Sequence, residues 1–204
     1  MKNILIFDFD GTLADSKKLY IDVIHLFLLK HDYNLSKENV SKGIGPRLDI
    51  TLGNLGVSNK DAEILTKEIN SAITKKALSI KLCPYVRETL SELSKNNTII
   101  LMTNSAKPFI LRILKKYALL KSFSELLCAR FRKKEQGFYY VFKKYKTLPK
   151  NVAYIADKVE DVKIARKVGC RIIITLACSW DKIKLKNKKF AVNNLKGVLS
   201  ADMH

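Results

Sequence analysis

Residues 4 to 15 read Ile-Leu-Ile-Phe-Asp-Phe-Asp-Gly-Thr-Leu-Ala-Asp, an apolar run that ends in two carboxylates one residue apart, with Gly11 and Thr12 directly behind them. In a strand, alternate side chains share a face, so Asp8 and Asp10 start out on the same side. Gly11 can turn the chain freely, which lets both carboxylates converge on one ligand. One carboxylate can form an acyl phosphate while its neighbour moves protons for the leaving group and for water. Two acids held this close raise each other's pKa. A hard divalent cation such as Mg2+ keeps the nucleophile ionised and offsets substrate charge. The segment therefore points to a metal-dependent phosphoryl-transfer site.

Three later segments offer groups that such a site needs. Thr98-Ile-Ile-Leu-Met-Thr-Asn-Ser-Ala is an apolar strand pattern ending at Thr103 and Asn104, which in isolation is ordinary turn chemistry. Arg130-Phe-Arg-Lys-Lys-Glu-Gln supplies several cations just ahead of the helical pattern Phe138, Val141, Phe142 and Tyr145. In Val152-Ala-Tyr-Ile-Ala-Asp-Lys-Val-Glu-Asp-Val, Asp157 follows a strand and Asp161 lies one helical turn beyond it. Acids there also suit a helix N-terminus with no ligand at all.

The wording Asp-Phe-Asp-Gly-Thr-Leu-Ala-Asp-Ser at 8–16 resembles motif I of the haloacid dehalogenase (HAD) superfamily, and the three later segments follow in the order of its other motifs. The resemblance implies Asp8 as nucleophile and Asp10 as general acid and base. It implies phosphate contacts from Thr103, Asn104 and a lysine of motif III, for which Lys134 is chosen over its neighbour Lys133. It places Mg2+ on Asp8, Asp10 and Asp157, with Asp161 in support. Two residues depart from the family pattern: Ala156 stands where Gly is usual, and Lys158 where a small residue is usual. A lysine beside the metal acid adds positive charge that competes with Mg2+.

The elements that must position these groups alternate along most of the chain. Apolar strand patterns fall at 4–7, 98–102, 126–128, 152–155 and 171–176, and helical patterns near 85–95, 107–118, 137–146 and 159–168. That is an α/β chain with a parallel sheet and helical crossovers. Ligands of such sheets bind beyond the carboxyl ends of the strands, where Asp8, Asp10, Thr103 and Asp157 fall. From Asp15 to about residue 80 helical periodicity takes over, starting with Tyr20, Val23, Ile24, Phe27 and Leu28. Its place directly after motif I resembles the α-helical C1 cap of the family, a lid that excludes water and chooses substrates. The expectation is a Rossmann-like three-layer core with a five-stranded sheet, built from 1–14 and 81–204, and a helical cap over 15–80. Within the cap, Gly43-Ile-Gly-Pro-Arg-Leu-Asp-Ile-Thr-Leu looks like the substrate-meeting element of phosphoglycolate phosphatase-like members, so Arg47 is a candidate contact for a substrate anion.

Composition frames these motifs. No run of 18 uninterrupted apolar residues and no signal peptide pattern is present, which predicts a cytoplasmic protein without a membrane span. Cys83, Cys128, Cys170 and Cys178 show no CxxC spacing and are expected to be reduced, mostly structural thiols. With 38 Lys and Arg against 19 Asp and Glu, the formal charge is +19. Such a field attracts phosphorylated metabolites and nucleic acid alike. The cations are spread over most helices, without a stripe of interleaved basic and aromatic residues, which favours the metabolite.

The expected activity is a Mg2+-dependent phosphatase acting on a small phosphate monoester, in a monomer or homodimer. Asp10 argues against carbon–halogen cleavage, because dehalogenases of the family lack the second acid. A phosphosugar mutase built on the same core, a nucleic-acid end phosphatase or binder using the basic surface, and a degenerate member that has lost catalysis stay open as alternatives.

Overall fold

The structure is a computed structural model that describes residues 3–201. Its centre is a sheet of five long-range parallel pairings: β1 (Ile4–Phe7), β4 (Thr98–Thr103), β5 (Glu125–Cys128), β6 (Val152–Ala156), β7 (Arg171–Thr175) and β8 (Ala191–Val192). The order across the sheet is β5-β4-β1-β6-β7-β8. Six strands are present where sequence periodicity gives five. The extra strand, β8, has two residues and follows the Lys-rich run 182–189, so it is too short to show alternation; its register comes from pairing Ile174 with Ala191 and Thr175 with Val192.

Every side chain of β1 is buried, as a strand covered on both faces requires. Alternation sends Leu5 and Phe7 into one apolar layer and Ile4 and Ile6 into the other. The first layer is closed by α5 (Val86–Asn96) and α6 (Lys107–Lys116), through Leu90, Phe109, Ile110 and Ile113. The second is closed by α7 (Lys134–Lys144) and α8 (Val159–Val168), through Phe138, Val141, Val162 and Ala165. Each such fully buried Leu, Ile or Phe contributes roughly 1.5–3 kcal/mol of transfer free energy, which fixes the helices against the sheet. Three layers result.

Between β1 and α5 the chain leaves the sheet through β2 (Ala14–Asp15) and returns through β3 (Lys81–Leu82), which pair antiparallel as a two-stranded ribbon. The ribbon joins the two crossings that enclose four helices: α1 (Lys17–Lys30), α2 (Lys37–Gly43), α3 (Leu48–Asn54) and α4 (Asn59–Lys75). The apolar face of α1 buries Val23, Ile24 and Leu28, and α4 buries Leu65, Ile69 and Ile73 in the same apolar layer as α6. No helix among the described residues is long and apolar enough to cross a membrane. A short helix, α9 (Lys182–Leu185), precedes β8.

One expectation about the cysteines is corrected. Cys83, just after β3, and Cys178, in the loop after β7, form a disulfide with Cα atoms 6.0 Å apart, whereas Cys128 and Cys170 are free. A separation of 95 residues carries no local signal, so the pairing is set only by the fold that brings the end of β3 against the 176–181 loop.

Candidate active site

The sheet order explains why the candidate residues meet. β4, β1 and β6 are adjacent, and Thr103, Asp8 and Asp157 stand at their carboxyl ends. The Asp8 amide extends the β1–β6 ladder by donating to the Ile155 carbonyl at 2.9 Å. The chain then turns tightly, with the Leu13 amide donating to the Phe9 carbonyl at 2.8 Å and Gly11 at φ +81°. A Cβ on Gly11 would lie 2.3 Å from Asp157 Oδ2 and 2.7 Å from the Trp180 ring, so both its conformation and its surroundings require glycine.

The two acids of the first motif face different partners. Asp8 lies beside Lys134, whose ammonium is 3.3 Å from Asp8 Oδ2 and 2.8 Å from Asp161 Oδ1. Lys134 also donates to the Tyr154 hydroxyl at 2.6 Å, and that hydroxyl donates to Asp161 at 2.9 Å. Lys134 has only 10% of its side chain exposed, while Lys133 is exposed at the start of α7; of the two candidate lysines, Lys134 is the one at the acids. Asp10 points elsewhere. Its carboxylate accepts from Ser16 Oγ at 2.5 Å, from Ser105 Oγ, and at the long distance of 3.5 Å from Thr103 Oγ1. Ser105 in turn bonds the Tyr20 hydroxyl at 2.7 Å, tying this acid to helix α1.

Carboxylate oxygens of Asp8, Asp157 and Asp161 all lie within 4.8 Å of one another. Asp10, which the sequence placed among the metal ligands, has its carboxylate held by the serine hydroxyls and is not part of this cluster. Asp161 has both oxygens engaged, one by Lys134 and Tyr154 and the other by the Lys158 amide at 3.2 Å, so it braces the site from the start of α8. Asp157 Oδ2 accepts from the Trp180 amide at 2.9 Å, but its buried Oδ1 has no hydrogen-bond partner. A buried carboxylate oxygen left bare beside a second carboxylate fits a hard cation taking oxygen ligands. Asp8 and Asp157 are the residues that could hold it.

The electrostatics follow from burial. Burial pushes Asp8 up to about 6 against the opposing pull of Lys134, and pushes Asp10 and Asp157 up as well. Burial would also raise Asp161, yet Lys134 and Lys158 outweigh it and hold the carboxyl below its usual range. Lys134 is held above the usual lysine value by Asp161 and Asp8, despite burial.

The remaining sequence candidates divide. Thr103 is buried in the wall beside Asp10, and its Oγ1 accepts from the Ser105 amide at 3.1 Å. Asn104 lines the pocket and donates to the Gly45 carbonyl at 3.1 Å, so it ties the α2–α3 loop to the core. That loop does cover the site, through Gly45 and Pro46. Arg47 does not face the enclosed pocket. Its guanidinium donates to the Ala129 carbonyl at 2.8 Å and pairs with Asp49 at 3.2 Å, because its backbone, at the start of α3, directs the side chain to the loop after β5. Arg47 thus ties the start of α3 to the loop after β5, and it lines the larger cleft that adjoins the enclosed pocket.

Several site residues carry no local signal. Tyr154 reads as one more apolar strand residue, and Ser16 and Ser105 as ordinary polar neighbours of the motifs. Trp180, the chain's single tryptophan, lies 23 residues beyond the acid it supports. Ser179 Oγ donates to the Asp157 carbonyl at 2.5 Å, and Asp181 accepts from the Val159 amide at 3.0 Å, so the loop after β7 holds Asp157 and the α8 N-terminus together.

A comparison with curated proteins finds no match. Among solved structures, a hydrolase from Pseudomonas syringae is similar at 20% identity and a TM-score of 0.84, covering 98% of this chain and 97% of that one. A predicted phosphoglycolate phosphatase from Haemophilus somnus is similar at 20% identity and a TM-score of 0.80, with 98% and 97% covered. CbbY from Rhodobacter sphaeroides, solved in complex with phosphate, is similar at 12% identity and a TM-score of 0.80, with 96% and 95% covered. The family model for haloacid dehalogenase-like hydrolases matches residues 5–175, a span that contains Asp8, Asp10, Thr103, Lys134, Asp157 and Asp161, and the chain belongs to that family.

Proposed function

We propose that the protein is a Mg2+-dependent phosphatase that hydrolyses a small phosphate monoester through an aspartyl-phosphate on Asp8, similar to phosphoglycolate phosphatases. The observation that carries this reading is the division of labour between the first two acids. Asp8 sits against a buried lysine and the acidic cluster, while Asp10 is held apart by hydroxyls. A nucleophile needs the first environment and a proton carrier the second. Asp8 attacks phosphorus and the bond to the leaving oxygen breaks; Asp10, whose carboxyl burial raises toward the protonated form, gives that oxygen its proton. Asp10 then takes a proton from water as the water attacks the aspartyl-phosphate and frees Asp8. Lys134 faces the charge that gathers on the phosphoryl oxygens, and Thr103 and Ser105 line the same pocket. Mg2+ held by Asp8 and Asp157 would supply charge neutralisation there.

The helices between β2 and β3 act, in this reading, as the lid that excludes water, with Gly45 and Pro46 over the pocket and Asn104 and Arg47 as its ties to the core. The test is phosphate release from a panel of small phosphate esters, with Mg2+ or EDTA, beside an Asp8→Asn control. Release that needs both Mg2+ and Asp8 is the expected result. Substantial release from Asp8→Asn would overturn the assignment.

A further inference from the structure

Two connected spaces of very different size meet at Lys158. The pocket against Asp8, Asp10, Thr103 and Ser105 encloses about 40 Å3. The adjoining cleft is about 1130 Å3, and the residues lining both spaces include Gly45, Pro46, Asn104, Lys134, Lys158 and Trp180. The smaller space takes a phosphoryl group beside the acids and leaves little room for a bulky leaving group. The Gly45–Pro46 loop and the Lys158–Trp180 pair line both spaces, so a larger leaving group reaches the cleft between them.

That aperture is built around a cation. The Lys158 ammonium lies 3.8 Å from the centre of the Trp180 ring, and among the described residues no carboxylate is within ion-pair distance of it. The ring holds the side chain without neutralising it. Gly45 leaves the necessary room, since a Cβ there would lie 3.0 Å from the Lys158 nitrogen. With Lys134 and Lys158 included, the cleft is lined by nine Lys and Arg against four Asp and Glu. Lys17, Arg132, Lys133, Lys182 and Lys184 carry this field outward.

We infer that the preferred substrate is a phosphomonoester whose leaving group carries a second phosphate, which is taken by Lys158 and the cations of the cleft. The inference rests on the phosphatase reading and names its substrate class. Only the ester in the small pocket reacts: its phosphorus–oxygen bond breaks as the bond to Asp8 forms, Asp10 protonates the departing oxygen, and water later replaces Asp8. The second phosphate is unchanged and serves to bind. It can belong to a small bisphosphate or to the neighbouring diester of a phosphorylated oligonucleotide end.

The experiment compares propane-1,3-diol bisphosphate with propyl phosphate, with Mg2+ present, in wild type, Lys158→Met and Lys158→Arg. A charge-assisted contact predicts kcat/KM at least about tenfold higher for the bisphosphate in wild type, falling to within about threefold in Lys158→Met and kept by Lys158→Arg. The preference shrinks as NaCl is raised, because the cleft is open to solvent. A ratio near one in wild type, or one that Lys158→Met leaves unchanged, overturns the inference while phosphate release itself keeps the phosphatase reading. Calorimetry with propane-1,3-bisphosphonate and propylphosphonate separates the two ideas from the other side. If no ester is hydrolysed but the bisphosphonate binds at least tenfold tighter through Lys158, the second-anion site stands and the phosphatase reading falls; equal binding overturns the site. A 5′-phosphorylated dithymidylate in the same series assigns the source, since a preference that extends to it supports an oligonucleotide end and one confined to the bisphosphate supports a metabolite.

Discussion

Asp8→Asn is expected to inactivate the enzyme and, in the absence of metal, to stabilise it. Asp8 is buried beside Asp157 and Asp161, with Lys134 shared between it and Asp161. Burial raises its carboxyl from the ordinary 3.8 to about 6, opposed but not cancelled by Lys134. A folded-state pKa above the unfolded one means that the ionised group destabilises the fold. Below pH 3.8 the carboxyl is protonated in both states and costs nothing; the penalty grows between pH 3.8 and 6 and is complete above 6. The interval corresponds to ~3 kcal/mol. Asparagine keeps the shape, removes the charge and leaves Lys134 paired with Asp161 at 2.8 Å. For a domain of this size ~3 kcal/mol is a Tm difference of about 6–12 °C.

The assay is thermal unfolding followed by circular dichroism, in EDTA, at pH 7.5, 5 and 4. Asp8→Asn should unfold at the higher temperature at pH 7.5, with the gap closing toward pH 4. Millimolar Mg2+ should narrow the gap at pH 7.5, because an ion held by Asp8 and Asp157, as proposed, would bind the folded wild type and not the unfolded chain. An Asp8→Asn protein no more stable than wild type at pH 7.5, or a gap independent of pH, refutes the argument that burial of this charge is the dominant strain on the site.

Lys134→Met should act in the opposite direction, leaving two buried carboxylates short of a partner, and should lower stability by about 3–5 kcal/mol at pH 7.5 and kcat by about 100-fold or more; chemical denaturation and steady-state kinetics measure the two, and a stability loss below about 1 kcal/mol would contradict the buried pairing. Gly11→Ala places a methyl group against Asp157 and Trp180 at a positive φ, so it should cost about 2 kcal/mol or more of stability and about 100-fold in kcat, read from Tm and turnover. Cys128 and Cys170 have thiols that burial pushes up to about 11 and 12, so iodoacetamide at pH 8 should label them only after unfolding, as mass spectrometry would show. Peptide mapping without reductant should recover Cys83 linked to Cys178, and reduction should destabilise the fold by roughly 4–5 kcal/mol for a loop of this length.

The sequence by itself determined the elements and the outline of the site, because the signals involved are local. Burial on both faces makes β1, β4 and β6 read as apolar runs, and the acids at their ends mark where those runs stop. The family wording around Asp8 and Asp10 supplied the order in which Thr103, Lys134, Asp157 and Asp161 follow. Short pieces escaped for the same reason: β2, β3 and β8 have two residues each, too few for a period to appear. Everything that depends on where a long or polar side chain finds its partner was decided by tertiary structure. Lys134 and Lys133 are neighbours in the chain, yet only the start of α7 sets one against Asp8 and leaves the other in solvent. Arg47 follows the Gly45–Pro46 loop that covers the site, and its guanidinium reaches the Ala129 carbonyl because the loop after β5 stands within its reach. Asp10 stands outside the acidic cluster because Ser16, just before α1, and Ser105, in the loop after β4, hold its carboxylate, and Cys83 met Cys178 across 95 residues. Spacing along the chain fixes which side of an element a residue occupies; packing of elements far apart in sequence fixes what it touches there.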